Sequence, residues 1–344
     1  MATLPVNRVA GEVMALRITA TVERWPVAGQ FIIARGAKTF VDVLVVAVSD
    51  GKYIGYGEGT AIYYQGETAE SCLAQVGRII GELEPLWVVE ARNLTQILLA
   101  PGAARNALDC ALWDLEATAS GLALWQLVGL HTPPRPLQTA LTISLGDAAV
   151  MNRDAAAAAA KGYALLKLKL TGVADRDRVA AVRAGAPNAR LIVDANESWS
   201  DLNIAAEADA LSKLGVEMVE QPVPEGQDFM LSGISSPLPI LADESCHGAA
   251  DVARLAPYYD GVNIKLDKAG GLTEALKIAE AAKAKDLKIM VGCMLSTSLG
   301  IAPAFLVAQD ADWVDLDGPA LLAQDRPKGF GFAGGKIIPP AYLL

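Results

Sequence analysis

Six apolar runs in the second half of the chain end in ionisable residues, as K-L-K, V-D-A-N, V-E-Q-P, A-D-E-S, N-I-K-L-D and V-D-L-D-G. They supply Lys167 and Lys169, then Asp194, Glu220 and Asp243, then Lys265, then Asp315 and Asp317. Strands buried on both faces read as near-continuous Val/Ile/Leu runs, and a charge on one is costly unless it faces a polar site with partners. The run ends therefore mark a candidate active site. Asp194, Glu220 and Asp243 hold equivalent positions in three consecutive runs, where three carboxylates would repel one another without a cation. Hard oxygen donors with no imidazole or thiolate suit Mg2+, which keeps open positions for water or a substrate oxygen. Scattered structural salt bridges are the alternative.

In a strand, residues i and i+2 share a face, so Lys167 points with Lys169 and Asp315 with Asp317. Lys169 and Lys265 would flank a substrate held on the metal. Two bases on opposite faces of one carbon are what a 1,1-proton transfer requires. A lysine at its reference pKa of about 10.4 is a poor base, and burial with neighbouring positive charge, here Lys167 and the metal, brings such a group toward roughly 7 to 8. A Schiff base is the competing role for a barrel lysine, and the carboxylate trio disfavours it.

The marked runs are spaced by the length of one strand, one helix and two short loops. Adding 137-LQTALTIS-144 as the first strand and 288-KIMVGCM-294 as the seventh makes eight. Ala-rich amphipathic stretches such as 175–185, 201–215 and 273–286 lie between them. Eight strands alternating with helices close most readily into a (β/α)8-type barrel, whose active site lies at the C-terminal strand ends. The charges stand at those ends.

Residues 1–130 have a different texture: β material at 13–26 and 40–59, the latter broken by a D-G turn, then helical stretches including 103–121. This reads as an α+β unit of its own. Its Gly-rich loops 26–38 and 57–68 carry aromatic and cationic side chains, as a mobile cover over a site would, with ordinary surface loops as the alternative. The barrel is expected over 131–318, and the tail 319–344 is expected to return to the first unit.

At 344 residues, 52% hydrophobic and 20% charged, the composition is that of a globular protein with a large interior. A net charge of −10 argues against nucleic acid and anionic membrane surfaces as partners. No secretory segment and no apolar run of membrane-spanning length is visible, so a cytoplasmic location is expected. Cys72, Cys110, Cys246 and Cys293 lack C-x-x-C spacing and read as free thiols. His131 and His247 are too few for a histidine metal cluster, and His247 reads as a loop residue.

Taken together, K-L-K, D-A-N, E-Q-P, A-D-E-S, N-I-K-L-D-K-A-G-G and V-G-C-M resemble the muconate-lactonising subgroup of the enolase superfamily, over essentially the whole chain. The resemblance implies a modified (β/α)7β TIM-type barrel with an N-terminal α+β capping domain. It implies Mg2+ on Asp194, Glu220 and Asp243, with Lys169 and Lys265 as the acid/base pair and Lys167 assisting. The shared step is abstraction of a proton α to a carboxylate. Within the subgroup, the D-L-D of 314-VDLDGP-319 is similar to the D-x-D with which dipeptide epimerases hold the substrate's α-ammonium, here Asp315 and Asp317. Two carboxylates suit a cation better than a dicarboxylate or an aromatic acid.

The resemblance further implies that a cation two residues after the A-R-G of the capping segment meets a substrate glutamate. Lys38 stands there, lysine in place of arginine, and loses the bidentate fork. Arg35 is the other cation available, Thr142 matches a pocket threonine, and Cys293 and Met294 belong to the substrate pocket. The activity implied is a dipeptide epimerase, with alanyl-glutamate the expected substrate and murein peptide metabolism the expected setting. Other members of the subgroup, such as N-acylamino acid racemases or cycloisomerases, and a non-catalytic ligand-binding barrel are the alternatives. A homo-oligomer stays open.

Overall fold

The computed structural model describes residues 15–33 and 36–344. Strand β1 (Arg17–Ile33) pairs antiparallel with β2 (Gly36–Ser49), which turns through Asp50 and Gly51 into antiparallel β3 (Ile54–Thr60). Asp50 Oδ1 accepts the amides of Lys52 and Tyr53 at 2.9 and 2.7 Å, the local bonding that a D-G turn offers. Segment 26–38, expected as a loop, is largely the far arm of the β1–β2 hairpin. The register slips between Pro26 and Phe31 and resumes with Phe31↔Lys38. Gly29, at φ 84°, takes up part of the slip, so the extra residues bulge out while Phe31 and Ile32 keep pairing.

Helices α1 (Ala69–Leu83), α2 (Val88–Leu98) and α3 (Ala103–Ser120) cover one face of this sheet. Leu44, Val46 and Val48, alternate residues of β2, pack there with Cys72, Val76, Leu108 and Leu112. The glycines of β3 have a definite task. A Cβ on Gly55, Gly57 or Gly59 would fall 2.1, 2.1 and 2.2 Å from the backbone of α3, so bare backbone lets that helix lie flat on the strand.

Eight parallel strands follow in chain order: Leu141–Ile143, Leu165–Lys169, Arg190–Asp194, Val216–Glu220, Ile240–Ala242, Gly261–Lys265, Lys288–Gly292 and Trp313–Asp315. Each bonds to the next, and Ala140 N donates to Val314 O at 2.8 Å, which brings the first against the eighth. Of the expected first strand only Leu141–Ile143 joins this sheet; Leu137 and Gln138 pair instead with tail strand Lys336–Ile338. Helices fill the crossovers at 148–160, 175–185, 204–213, 249–255, 272–283 and 298–307, and a short 3-10 turn, Asp228–Leu231, follows the fourth strand.

The barrel interior explains where the charges go. Ala140, Leu165, Ile192, Met218, Leu241, Met290 and Trp313 form one buried apolar cluster. Two residues further along the same strands stand Thr142, Lys167, Asp194, Glu220, Asp243, Gly292 and Asp315. Period-2 alternation thus stacks a polar layer on an apolar plug, at the C-terminal ends. The tail also touches the N-terminal unit: Val27 bridges Leu322, and Arg326 reaches Glu23 and Glu58 at 2.7 and 3.0 Å. No helix among the described residues is long and apolar enough to cross a membrane.

Candidate active site

The third, fourth and fifth strands deliver Asp194, Glu220 and Asp243, all at most 1% exposed, so that one oxygen of each lies within 4.8 Å of the others. Three clustered buried carboxylates are costly alone. They are ringed by ammoniums. Lys167 Nζ lies 2.6 Å from Glu220 Oε2, 2.8 Å from Asp315 Oδ2 and 3.6 Å from Asp194 Oδ2. Lys169 Nζ is 2.6 Å from Asp194 Oδ2, and Lys265 Nζ is 2.6 Å from Asp243 Oδ2. Lys169 leaves the second strand and Lys265 the sixth, halfway around the barrel, and both line one cavity. An all-oxygen, buried, anionic donor set fits a hard divalent cation.

Burial alone would lower the pKa of Lys265, but Asp243 and Glu220 raise it well above the ordinary lysine value. Lys167 is likewise raised overall, burial being outweighed by Asp315, Glu220 and Asp194. Burial, followed by Asp194, pushes Glu220 up to about 8. The ammoniums and carboxylates therefore compensate one another, and a cation on the carboxylates would weaken their hold on the lysines.

Several residues that hold this arrangement carried no mark in the sequence beyond their place inside the motifs. Lys268, fully buried, puts Nζ 2.7 Å from Asp243 Oδ1 and also donates to the Asp243 carbonyl. Asn263 donates to Glu220 Oε1 at 2.7 Å. Gln221 Oε1 accepts the amides of Asp243 and Ser245 at 2.7 and 3.2 Å, tying the fourth strand end to the fifth. Asn196, Glu197 and Gln221 have φ of 42°, 66° and 34°, a local strain at the strand ends that bonds such as Asn196 N to Asp194 Oδ1 at 2.9 Å help hold. Gly292 is bare for a reason: a Cβ there would sit 2.9 Å from Asn263 Oδ1 and 3.2 Å from Lys265 Cε.

At the eighth strand the sheet ends on Asp315, and Asp317 lies beyond it with helical backbone angles (φ −88°, ψ −1°). The expected i, i+2 strand pair is thus not a strand pair, yet both carboxylates line the same cavity. Their partners differ. Asp315 holds Lys167, whereas Asp317 Oδ2 accepts the Thr142 amide at 2.7 Å. Burial, then the charge of Asp315, pushes the Asp317 carboxyl up to about 7. Thr142, Cys293 and Met294 line the cavity as well. The Cys293 thiol is pushed well up by burial, which suits a wall residue rather than a nucleophile.

From the N-terminal unit, Phe31, Lys38, Tyr63 and Tyr64 reach the same cavity. Lys38 Nζ sits 4.2 Å from the Tyr63 ring centroid, and burial lowers its pKa. Arg35 lies outside the described residues. His247 is not among the residues that line the cavity; its Nε2 lies 2.7 Å from Glu225 Oε1 and its Nδ1 3.4 Å from Gln65 Nε2.

Residues 15–129 match the mandelate racemase / muconate lactonizing enzyme N-terminal domain, and residues 150–340 match the enolase C-terminal domain-like family. The chain is 42% identical to the L-Ala-D/L-Glu epimerase of Escherichia coli K12, over 92% of this chain and 97% of that protein. It is 37% identical to an N-acetyl-D-glutamate racemase from Pseudoalteromonas, over 86% and 93% of the two chains. A solved structure from Agrobacterium tumefaciens, an enolase family member with homology to dipeptide epimerases, with bound sodium and L-Ala-L-Glu, superposes with a TM-score of 0.89 at 46% identity, covering 95% and 98%. With two family models spanning most of the chain and a relative 42% identical over 92% of it, the chain belongs to the mandelate racemase / muconate lactonizing enzyme family of the enolase superfamily.

Proposed function

We propose that this protein is a Mg2+-dependent dipeptide epimerase that inverts the α-carbon of the C-terminal residue, with L-Ala-D/L-Glu as substrate. The observation that carries the reading is the placement of Lys169 and Lys265 on opposite strands of one barrel, lining one cavity beside the carboxylate triad. Asp194, Glu220 and Asp243 would hold Mg2+, which when bound would polarise the substrate carboxylate and ease development of negative charge there. One lysine takes the α-proton and the other, as an ammonium, returns a proton to the opposite face. Lys167 neutralises Asp315 and Glu220 beneath them. Asp317 is left to meet the peptide ammonium, and Lys38 turns from Tyr63 to the glutamate side chain. Free thiols and the dipeptide chemistry support a cytoplasmic role in murein peptide metabolism.

Incubating L-Ala-L-Glu with enzyme and Mg2+ in D2O tests this: one deuterium should enter the glutamate α-position as the D-epimer forms. The absence of both would sink the reading. N-acylglutamate racemisation is the second reading, favoured by the Pseudoalteromonas relative. An N-acyl group has no ammonium for Asp317, so a kcat/KM for N-acetylglutamate above that for the dipeptide would select it.

Two outcomes follow for the ends of the substrate. Asp317 must be ionised to bind the ammonium, and its carboxyl sits at about 7. It is protonated below that value and charged above it, so KM for the dipeptide should climb as pH falls through about 7. The Asp317→Asn variant keeps an acceptor for Thr142 but loses the charge; its KM should be raised and its pH profile flat. Lys38→Ala should cost L-Ala-L-Glu roughly 10- to 150-fold in kcat/KM, the equivalent of about 1.5 to 3 kcal/mol. Ala-Ala should change by less than about threefold. Equal losses on both dipeptides would make Lys38 a hairpin residue only.

A further inference from the structure

The two lysines are supported very differently. Lys169 is the last residue of its strand, flanked by strands of the barrel, and its ion pair is with Asp194 of the next strand. Lys265 also ends a strand, but the six residues after it form a tight turn whose polar groups are met from several sides. Asp267 Oδ1 accepts the Thr60 amide and the Asn106 Nδ2, each at 2.8 Å. Arg105 donates through Nη2 to Ala269 O at 2.6 Å and through Nε to Gly270 O at 3.0 Å. Thr60 belongs to β3, and Arg105 and Asn106 belong to α3, so these clamps all come from the N-terminal unit. From the barrel, Lys268 donates to the carbonyls of Asp243, Cys246 and Asn263.

Asp267 is the centre of this arrangement. It is 7% exposed and two residues from Lys265. The Thr60 that it holds also donates through its hydroxyl to Leu295 O at 2.9 Å, and three residues later the chain reaches Tyr63 and Tyr64 of the cavity wall. A buried carboxylate bonded to a backbone amide and an amide side chain is a rigid joint, because its loss takes the buried acceptor from the Thr60 amide and leaves Asn106 Nδ2 only its bond to Glu58 O at 3.2 Å.

We propose that Asp267, held by Asn106 and Thr60, is a positioning residue for Lys265, so that the N-terminal unit sets the aim of one of the two lysines and not of the other. The inference rests on the two-lysine reading above. A displacement of Lys265 by a fraction of an ångström to one ångström leaves Lys169 in place, because among the described residues no hydrogen bond or ion pair runs from β3 or α3 to the second strand end, where Lys169 meets Asp194.

The test is exchange of the α-hydrogen in D2O, followed separately from each pure epimer at short times. Each lysine serves one epimer, identified with Lys169→Ala and Lys265→Ala. For Asp267→Ala, exchange from the epimer served by Lys265 should fall roughly 10- to 100-fold, while that from the epimer served by Lys169 changes by less than about threefold. Asp267→Asn, which keeps an acceptor for both donors, should recover most of the loss. If Asp267→Ala does not fold, Asn106→Ala should show the same one-sided pattern in smaller measure. Equal losses from both epimers, or no loss in either variant, would overturn the proposal. If the wild-type protein exchanges neither epimer, the two-lysine reading fails instead.

Discussion

Lys265→Ala will abolish epimerisation and leave exchange of the α-hydrogen from only one epimer, and Lys169→Ala will leave exchange from only the other. The physical ground is the barrel itself. The second and sixth strands stand half a turn apart in an eight-stranded ring, so their end residues approach a bound carbon from opposite sides. Removal of a positioned acid/base group costs on the order of 10²- to 10⁴-fold. Epimerisation needs both groups, whereas exchange on one face needs one. The side effects are also set by the structure. Without Lys265, Asp243 keeps Lys268 on its other oxygen, so the carboxylate is not left without a cation. Without Lys169, Asp194 still has Lys167 at 3.6 Å and the Asn196 amide at 2.9 Å. Both variants should therefore fold, and mass spectrometry on each pure epimer reads the outcome. Exchange of both epimers at wild-type rates by either variant would refute two-sided proton transfer.

The site was legible where a charge interrupts an apolar strand, because burial makes such an interruption expensive and therefore informative. Lys167, Asp194, Glu220 and Asp243 are of this kind, and each stands two residues beyond a member of the apolar plug. The partners within the motifs were not legible. Lys268 follows its strand in a helical turn, where a lysine is usually a solvated side chain, and only the folded chain shows it buried against Asp243. The pairing of Lys167 with Asp315 depends on closure of the barrel and has no local signature, since 148 residues separate them. The i, i+2 spacing of Asp315 and Asp317 predicts one shared strand face, but the strand stops at Asp315 and the two carboxylates acquire different partners. Glycines carry two signals in the N-terminal unit. Gly57 and Gly59 fall both in the β material of 40–59 and in the Gly-rich loop 57–68, and the strand reading holds: they belong to β3 and are the flat face on which α3 rests.

Asp243→Asn will lower Mg2+ affinity on the order of 100-fold or more, given that even the supporting partners of metal ligands are worth about 10- to 100-fold. The substitution keeps the shape and removes one anion from a set of three whose donor oxygens lie within 4.8 Å. It also withdraws the anion from Lys265 and Lys268, which lie 2.6 and 2.7 Å from its two oxygens. Breaking a buried pair in this way costs about 3 to 5 kcal/mol, so the metal-free variant should melt at a lower temperature than the metal-free wild type. Loss of activity alone would not separate a ligand from a structural anion. Thermal melts with and without Mg2+ do: a ligand that binds only the folded state raises its stability with the logarithm of concentration over Kd. Wild type should show a Tm that climbs with added Mg2+ and falls back in EDTA. The variant should stay flat over the same concentrations while still unfolding cooperatively. A Tm response to Mg2+ as large in Asp243→Asn as in wild type, or full epimerase activity in EDTA, would remove the metal from the site and leave the carboxylates as counter-ions of the four lysines.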